Sequence, residues 1–337
     1  MLKLLKMSLK KNVFSCILSF SALYFANAQM KVVNSFPIPG NGRYDYLVTA
    51  PDNRLYVSHG NKVDVINSEN GTLIDSITGL GNAHGIALDY KNRKGFISDG
   101  NNNKLVVFDM DSYKKLNEIT TGKNPDAILF EIATKKIIVG NGKSNSISII
   151  DPTSNKVLQT IDIGGKPEAI VSDNKEFLFV NIEDKNAIAV ISLNDFSLKE
   201  MIDISKEGEE PAGLSIDIKD QLLFAGCRNK KLVIVHYPDK KIVHSYPIGG
   251  ICDGVVFNQF NQTIYTSNGD GTLNILQRKP DGDWENQSIH TQQNAKTMAI
   301  DKKSNTIYLS VAETATEKDA SGKPAIIPNT FKVLVIK

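Results

Sequence analysis

Short apolar runs separated by polar turns recur along the chain. Between residues 85 and 120 four of them follow one another: GIALD, KGFISD, KLVVFD and KLNEIT, with Asn, Asp, Lys and Gly between them. Each run is shorter than an ordinary helix and is bounded by turn-forming residues, so each is predicted to be a strand. The second run of the phrase sets the register. It returns as YVSH from Tyr56, FISD from Phe96, IVGN from Ile138, FVNI from Phe179, FAGC from Phe224, YTSN from Tyr265 and YLSV from Tyr308. The spacings are 40, 42, 41, 45, 41 and 43 residues.

A repeat of that length holding four strands matches one blade of a β-propeller. The predicted fold class is therefore all-β: a seven-bladed β-propeller with four antiparallel strands per blade. One blade cannot bury both faces of its own sheet, whereas seven in a ring cover each other. The last repeat supplies only three strands, TMAID, TIYLS and FKVLVIK. The segment Lys31–Ile38 has the pattern of an outer strand such as KVLQTIDI. It is expected to close the last blade. A polar insertion from Glu313 to Pro328, with Gly322, Pro324 and Pro328, falls between the second and third strands of blade seven and is expected to be an extended loop.

The first residues follow another pattern. Lys3, Lys6, Lys10 and Lys11 precede an apolar run from Val13 to Phe25, and Ala26-Asn27-Ala28 follows it. This is the layout of a secretory signal peptide spanning residues 1–28, with the cut expected before Gln29. The run is shorter than the roughly 20 residues of a membrane span. Cys16 lies inside it rather than at its end, which argues against a lipoprotein signal. The propeller is thus expected over residues 29–337, in a periplasmic or secreted protein with no transmembrane segment after processing. Removing the leader leaves 35 basic against 37 acidic residues, so the net charge provides no basic field for nucleic acid. Two cysteines remain, Cys227 and Cys252, too few for a disulfide scaffold.

The repeats resemble those of the YVTN-repeat (YncE-like) propellers of bacterial periplasms and cell surfaces. The resemblance rests on the seven tetrapeptides, the GIALD-type strand before them and the D-x-x-(S/T) turn after the third strand. It spans residues 29–337 and is specific for fold rather than activity. The tetrapeptide ends in Ile182, Cys227 and Val311 where the pattern has Asn.

In a propeller the innermost strands line a central channel, and the loops entering them share a face with the loops leaving the second strands. By register the residues before the inner strands are Tyr44, His84, Asp126, Glu168, Ala212, Asp253 and Lys296. Those ending the second strands are His59, Asp99, Asn141, Ile182, Cys227, Asn268 and Val311. Arg43, Asp45, Glu183, Arg228 and Glu313 lie beside them. This polar mouth is the candidate binding site. His59, His84, Asp99 and Asp126 form a candidate ligand set for a divalent metal, since imidazole and carboxylate suit such ions. Solvated loop residues, or pairs that hold the loops in shape, are the alternative reading of the same positions. Cys227 and Cys252 fall on one face of adjacent blades, so a disulfide is one reading and two buried free thiols are the other.

No phosphate loop, dinucleotide fingerprint, HExxH or GxSxG motif is present. The reading is an exported binding or scaffold protein, expected as a monomer, that holds a small molecule, a glycan or a peptide or protein partner at the mouth. A metal-dependent hydrolase or lyase acting at the same mouth is the second reading. Single-stranded nucleic acid is disfavoured by the near-neutral charge.

Overall fold

A computed structural model describes residues 30–319 and 322–337. The proposed leader lies outside the described residues. Seven four-stranded antiparallel sheets follow one another along the chain. Blade two illustrates them: Ala83–Asp89, Lys94–Asp99, Lys104–Asp109 and Lys115–Thr120, paired in that order. The protein is a seven-bladed β-propeller. Apart from one 3-10 turn at Glu183–Lys185, the described residues contain no helix, and none is long and apolar enough to cross a membrane.

The alternation within each strand explains why blades pack. Successive side chains point to opposite faces of a sheet. In blade one Tyr56, Val63 and Val65 join Ile86, Ile97, Val106 and Phe108 of blade two. Leu55, Val57 and Ile66, on the other face, join Tyr308, Val333 and Val335 of blade seven. The core is thus a series of seams between blades. Second and third strands, covered on both faces, are buried nearly throughout, as in Thr263–Asn268 and Ser146–Asp151. Outer strands bury little, as in Lys115–Thr120, where only Ile119 is buried.

Ring closure follows the expected route. Val32–Pro37 is the outer strand of blade seven and pairs antiparallel with Lys332–Ile336, with Phe36 opposite Val333. Backbone hydrogen bonds between Lys31 and Lys337 extend the ladder. The insertion after the second strand of blade seven departs from expectation. It is a β-hairpin, Thr314–Lys318 against Pro324–Ile326, rather than an extended loop. Arg43 anchors it, through an ion pair with Asp319 and a 3.1 Å hydrogen bond to the Pro324 carbonyl.

Candidate functional site

The pairing between first and second strands shows which residues stand around the channel mouth. Tyr44, Ala83, Pro125, Pro167, Pro211 and Cys252 pair with the last residues of their second strands. Immediately after each, the register slips by a bulge. A bulge re-aims the side chains it displaces. The displaced residues are Asp45, His84, Asp126, Glu168, Ala212 and Asp253, and Lys296 occupies this place in blade seven. Asp45 rather than Tyr44 therefore stands in the ring for blade one. Tyr44 instead stacks on Phe331 and donates a hydrogen bond to the Asn294 carbonyl at 3.1 Å.

The ring is nearly a circuit of alternating charge. Lys296 pairs with Asp253, and Arg228 lies 4.0 Å from the same carboxylate and 2.9 Å from Glu183. Lys166, which precedes the inner strand of blade four, pairs with both Glu183 and Glu168. On the other side His84 Nδ1 lies 2.6 Å from Asp45 and 3.9 Å from Asp126. Ala212 leaves blade five without a charge in the ring. Among the described residues no cation pairs with both Asp126 and Glu168; Lys166 pairs with Glu168 and with Glu183.

The proton affinities follow from this layout. Burial alone would lower the His84 pKa, but the Asp45 hydrogen bond and the Asp126 charge outweigh it and raise it to about 9. An imidazolium donates from both nitrogens. Asn82 Nδ2 stands 2.8 Å from His84 Nε2, so the imidazolium requires the isosteric turn of that amide that brings its oxygen to accept. Asp126 is pushed up to about 6 by burial and by Asp45, with His84 pulling the other way. Glu168 is pushed up to about 8 by burial and by Asp126, despite Lys166 at 2.6 Å. Burial also raises Glu183, but Lys166 and Arg228 outweigh it and hold its carboxyl low. Lys296 is raised, Asp253 and Asp45 overcoming its burial.

Below the ring the channel narrows to a cavity of about 200 Å³. Six blades line its upper part with Gly85, Ala127, Ala169, Gly213, Gly254 and Thr297. The seventh side chain at this level is Tyr46, which fills the space the small residues leave and packs on the core of blades three and four. Burial raises the phenol pKa well above its ordinary value, and Asp126 and Glu168 add to it. Tyr46 was not a sequence candidate. The signal was there, as one aromatic in a column of small residues, but it needs the bulge register to become visible.

The structure separates several sequence candidates from this mouth. His59 is fully buried, 3.1 Å from Asp64 Oδ2, with its ring 4.2 Å from that of Phe331. Asp64 is also bound by Lys62 and Ser76. Asp99 is fully buried and accepts from the Gly81 and Asn82 amides and the Asn102 side chain, so its carboxylate shapes the loop before the blade-two inner strand. Asn141 bonds Ser146 and Ser148, and Asn268 bonds Thr272 and Asn274. Each of the four is bonded within its own blade, while His59 Nε2 and Asn141 Oδ1 are buried without a hydrogen-bond partner among the described residues.

Among the described residues, the group whose ligand atoms lie within 4.8 Å of each other is Asp45, His84 and Asp126. It shares only His84 and Asp126 with the set expected from sequence. A divalent ion there would have to displace the proton that the two carboxylates hold on the ring. Cys227 and Cys252 are both free and buried, so no disulfide joins them. Burial pushes Cys227 up to about 12 and Cys252 well above its usual range.

Comparison with known proteins bears on the fold. The chain is similar to a chain of the hydrazine synthase of Kuenenia stuttgartiensis, with a TM-score of 0.71 and 13% identity over 86% of this chain and 96% of that one. At this identity the likeness shows the propeller architecture. No family model matches the sequence, and no curated protein matches it.

Proposed function

We propose that this chain is an exported binding protein of the YVTN-repeat type, and that its mouth receives a small ligand or peptide through a cationic group seated beside Asp126 and Glu168. The observation that carries the reading is the state of Asp126. Its side chain is only 19% exposed, yet it accepts no hydrogen bond from any described residue. Burial first and the Asp126 charge second raise the pKa of its neighbour Glu168 to about 8, so that carboxyl holds a proton near neutral pH. An ammonium or guanidinium group entering here meets two carboxylates and releases a proton as it binds. The rigid ring, with its charges already paired elsewhere, leaves this junction as the place where an added cation gains most.

The test is calorimetric titration of the processed protein with arginine amide and putrescine near pH 7, in two buffers of different ionisation enthalpy. Binding coupled to proton release is expected. Glu168→Gln should remove the release, and Asp126→Asn should weaken binding by about tenfold. Failure of every cationic probe to bind would end this reading. The close approach of Asp45, His84 and Asp126 supports the second reading, a metal-dependent hydrolase or lyase. Metal analysis decides between them: one tightly held divalent ion per chain, lost in His84→Ala, favours the enzyme.

A further inference from the structure

A second concavity opens toward the opposite end of the inner strands: it shares Val48, Ile86 and Ile128 with the channel cavity and runs out to Ile132, about 20 Å from Asp126 at the ordinary rise per strand residue. It is a groove of about 570 Å³ across blades one to three, within the range of about 300–1,000 Å³ usual for small-molecule sites. Its wall is apolar: Val48, Ile86, Leu129, Phe130 and Ile132 all line it. Leu129 and Phe130 are half-buried, and Ile132 is 66% exposed at the turn tip. Exposed apolar tips recur at Ile218 and Phe260 in blades five and six, so exposure alone does not single out the groove. Its concavity and its charges do.

The polar groups of the lining fall into two sets. Asp89 is 1% exposed, and its carboxylate is occupied by the Asn92 amide and side chain. Thr49 donates to the Ile300 carbonyl, and Tyr90 donates to the Thr49 carbonyl. Lys91 and Lys135 also line the groove, are exposed, and make no ion pair or hydrogen bond through their ammonium groups with any described residue. The groove therefore offers an apolar wall and two uncommitted cations, with its one carboxylate turned inward. That combination suits an anion with a long hydrocarbon tail.

We propose that this groove is a binding site for a single-chain anionic amphiphile of the fatty-acid class. Its alkyl chain lies along the Leu129, Phe130 and Ile132 wall, and Lys91 and Lys135 hold its carboxylate. The site adjoins the channel cavity at Val48, Ile86 and Ile128, but it uses none of the charged ring residues and does not rest on the function proposed for the mouth. No covalent step is involved.

Calorimetric titration of the processed protein with decanoate, dodecanoate and tetradecanoate, each below its micelle concentration, tests it. Affinity should rise about tenfold for each pair of carbons added, because buried area grows with chain length. Lys91→Glu with Lys135→Glu should weaken dodecanoate by about tenfold or more and leave 1-decanol unchanged. Ile132→Asp should weaken both, with an unchanged melting temperature because the side chain is at an exposed turn. Glu168→Gln, at the mouth, should leave dodecanoate binding as it is. Absence of binding, affinity independent of chain length, or equal loss of acid and alcohol in the double lysine variant would each overturn the proposal. So would sedimentation of the protein with anionic phospholipid vesicles without any binding of free dodecanoate.

Discussion

His84 Nδ1 lies 2.6 Å from the carboxylate of Asp45, a residue of the preceding blade. The pair joins two blades at the channel mouth, and its charge state is set by the fold. In the folded chain the imidazole pKa is raised to about 9, above the unfolded value of about 6.5. The stabilisation is thus fully present below about pH 6.5 and is lost as pH rises through 9. It amounts to something on the order of 3 kcal/mol. Thermal melts from pH 6 to pH 10 should show a decline for the wild type that is much shallower in Asp45→Asn. A His84 resonance titrating near its ordinary value in NMR would refute this.

The Glu168 carboxyl acts in the same direction on the pH scale. Its folded pKa of about 8 lies above the usual carboxylate value, so ionising it at high pH destabilises the fold. Stability associated with its proton is present at pH 4 and is lost as pH rises through 8. Glu168→Gln keeps the shape and removes the charge. It should be neutral at pH 5 and stabilising by roughly 1–3 kcal/mol at pH 9, measured by urea denaturation at the two pH values. Stabilisation of equal size at both would show that the like-charge contact with Asp126 is not the cause.

Tyr46 is the plug of the channel. Tyr46→Ala removes the aromatic that fills the space beside six small residues and should cost roughly 2–4 kcal/mol in chemical denaturation. Tyr46→Phe should stay within about 1 kcal/mol, since the hydroxyl has no hydrogen-bond partner among the described residues. A phenylalanine variant as unstable as the alanine one would mean that the hydroxyl, rather than the ring, holds this level of the channel.

Cys227 and Cys252 are buried thiols with raised pKa values. The native processed protein should react with a thiol reagent slowly or not at all, because the reactive thiolate is suppressed and access is blocked. Denatured without reductant, it should show two thiols per chain. Finding none would mean a disulfide.

How far the sequence could be read differs between fold and site, and the reason is physical. The spacing from Tyr56 to Phe96 to Ile138 states how often the backbone must form a strand covered on both faces, and short-range alternation alone specifies that. The pattern of Lys31–Ile38 likewise marked an outer strand and supplied the missing fourth strand of blade seven, so closure was legible too. Several of the charged residues around the mouth were legible too, but Lys166, which pairs with Glu168 and Glu183, was not among them, His59 and Asp99 turn into their own blades, and in blade one the bulge puts Asp45 rather than Tyr44 level with His84.

What tertiary structure alone decided is which of those polar groups remain available. Asp99 and Asp126 look alike in the chain, at a strand end beside a turn. The amides of Gly81 and Asn82 consume the first, while the second accepts no hydrogen bond from a described residue and has His84 Nδ1 3.9 Å away. His59 and His84 are equally similar by pattern, yet one is enclosed with Asp64 and Phe331 and the other reaches a neighbouring blade. Strand periodicity is a property of consecutive residues. Whether a side chain is spent or free depends on partners brought from other parts of the ring, and no local pattern encodes them.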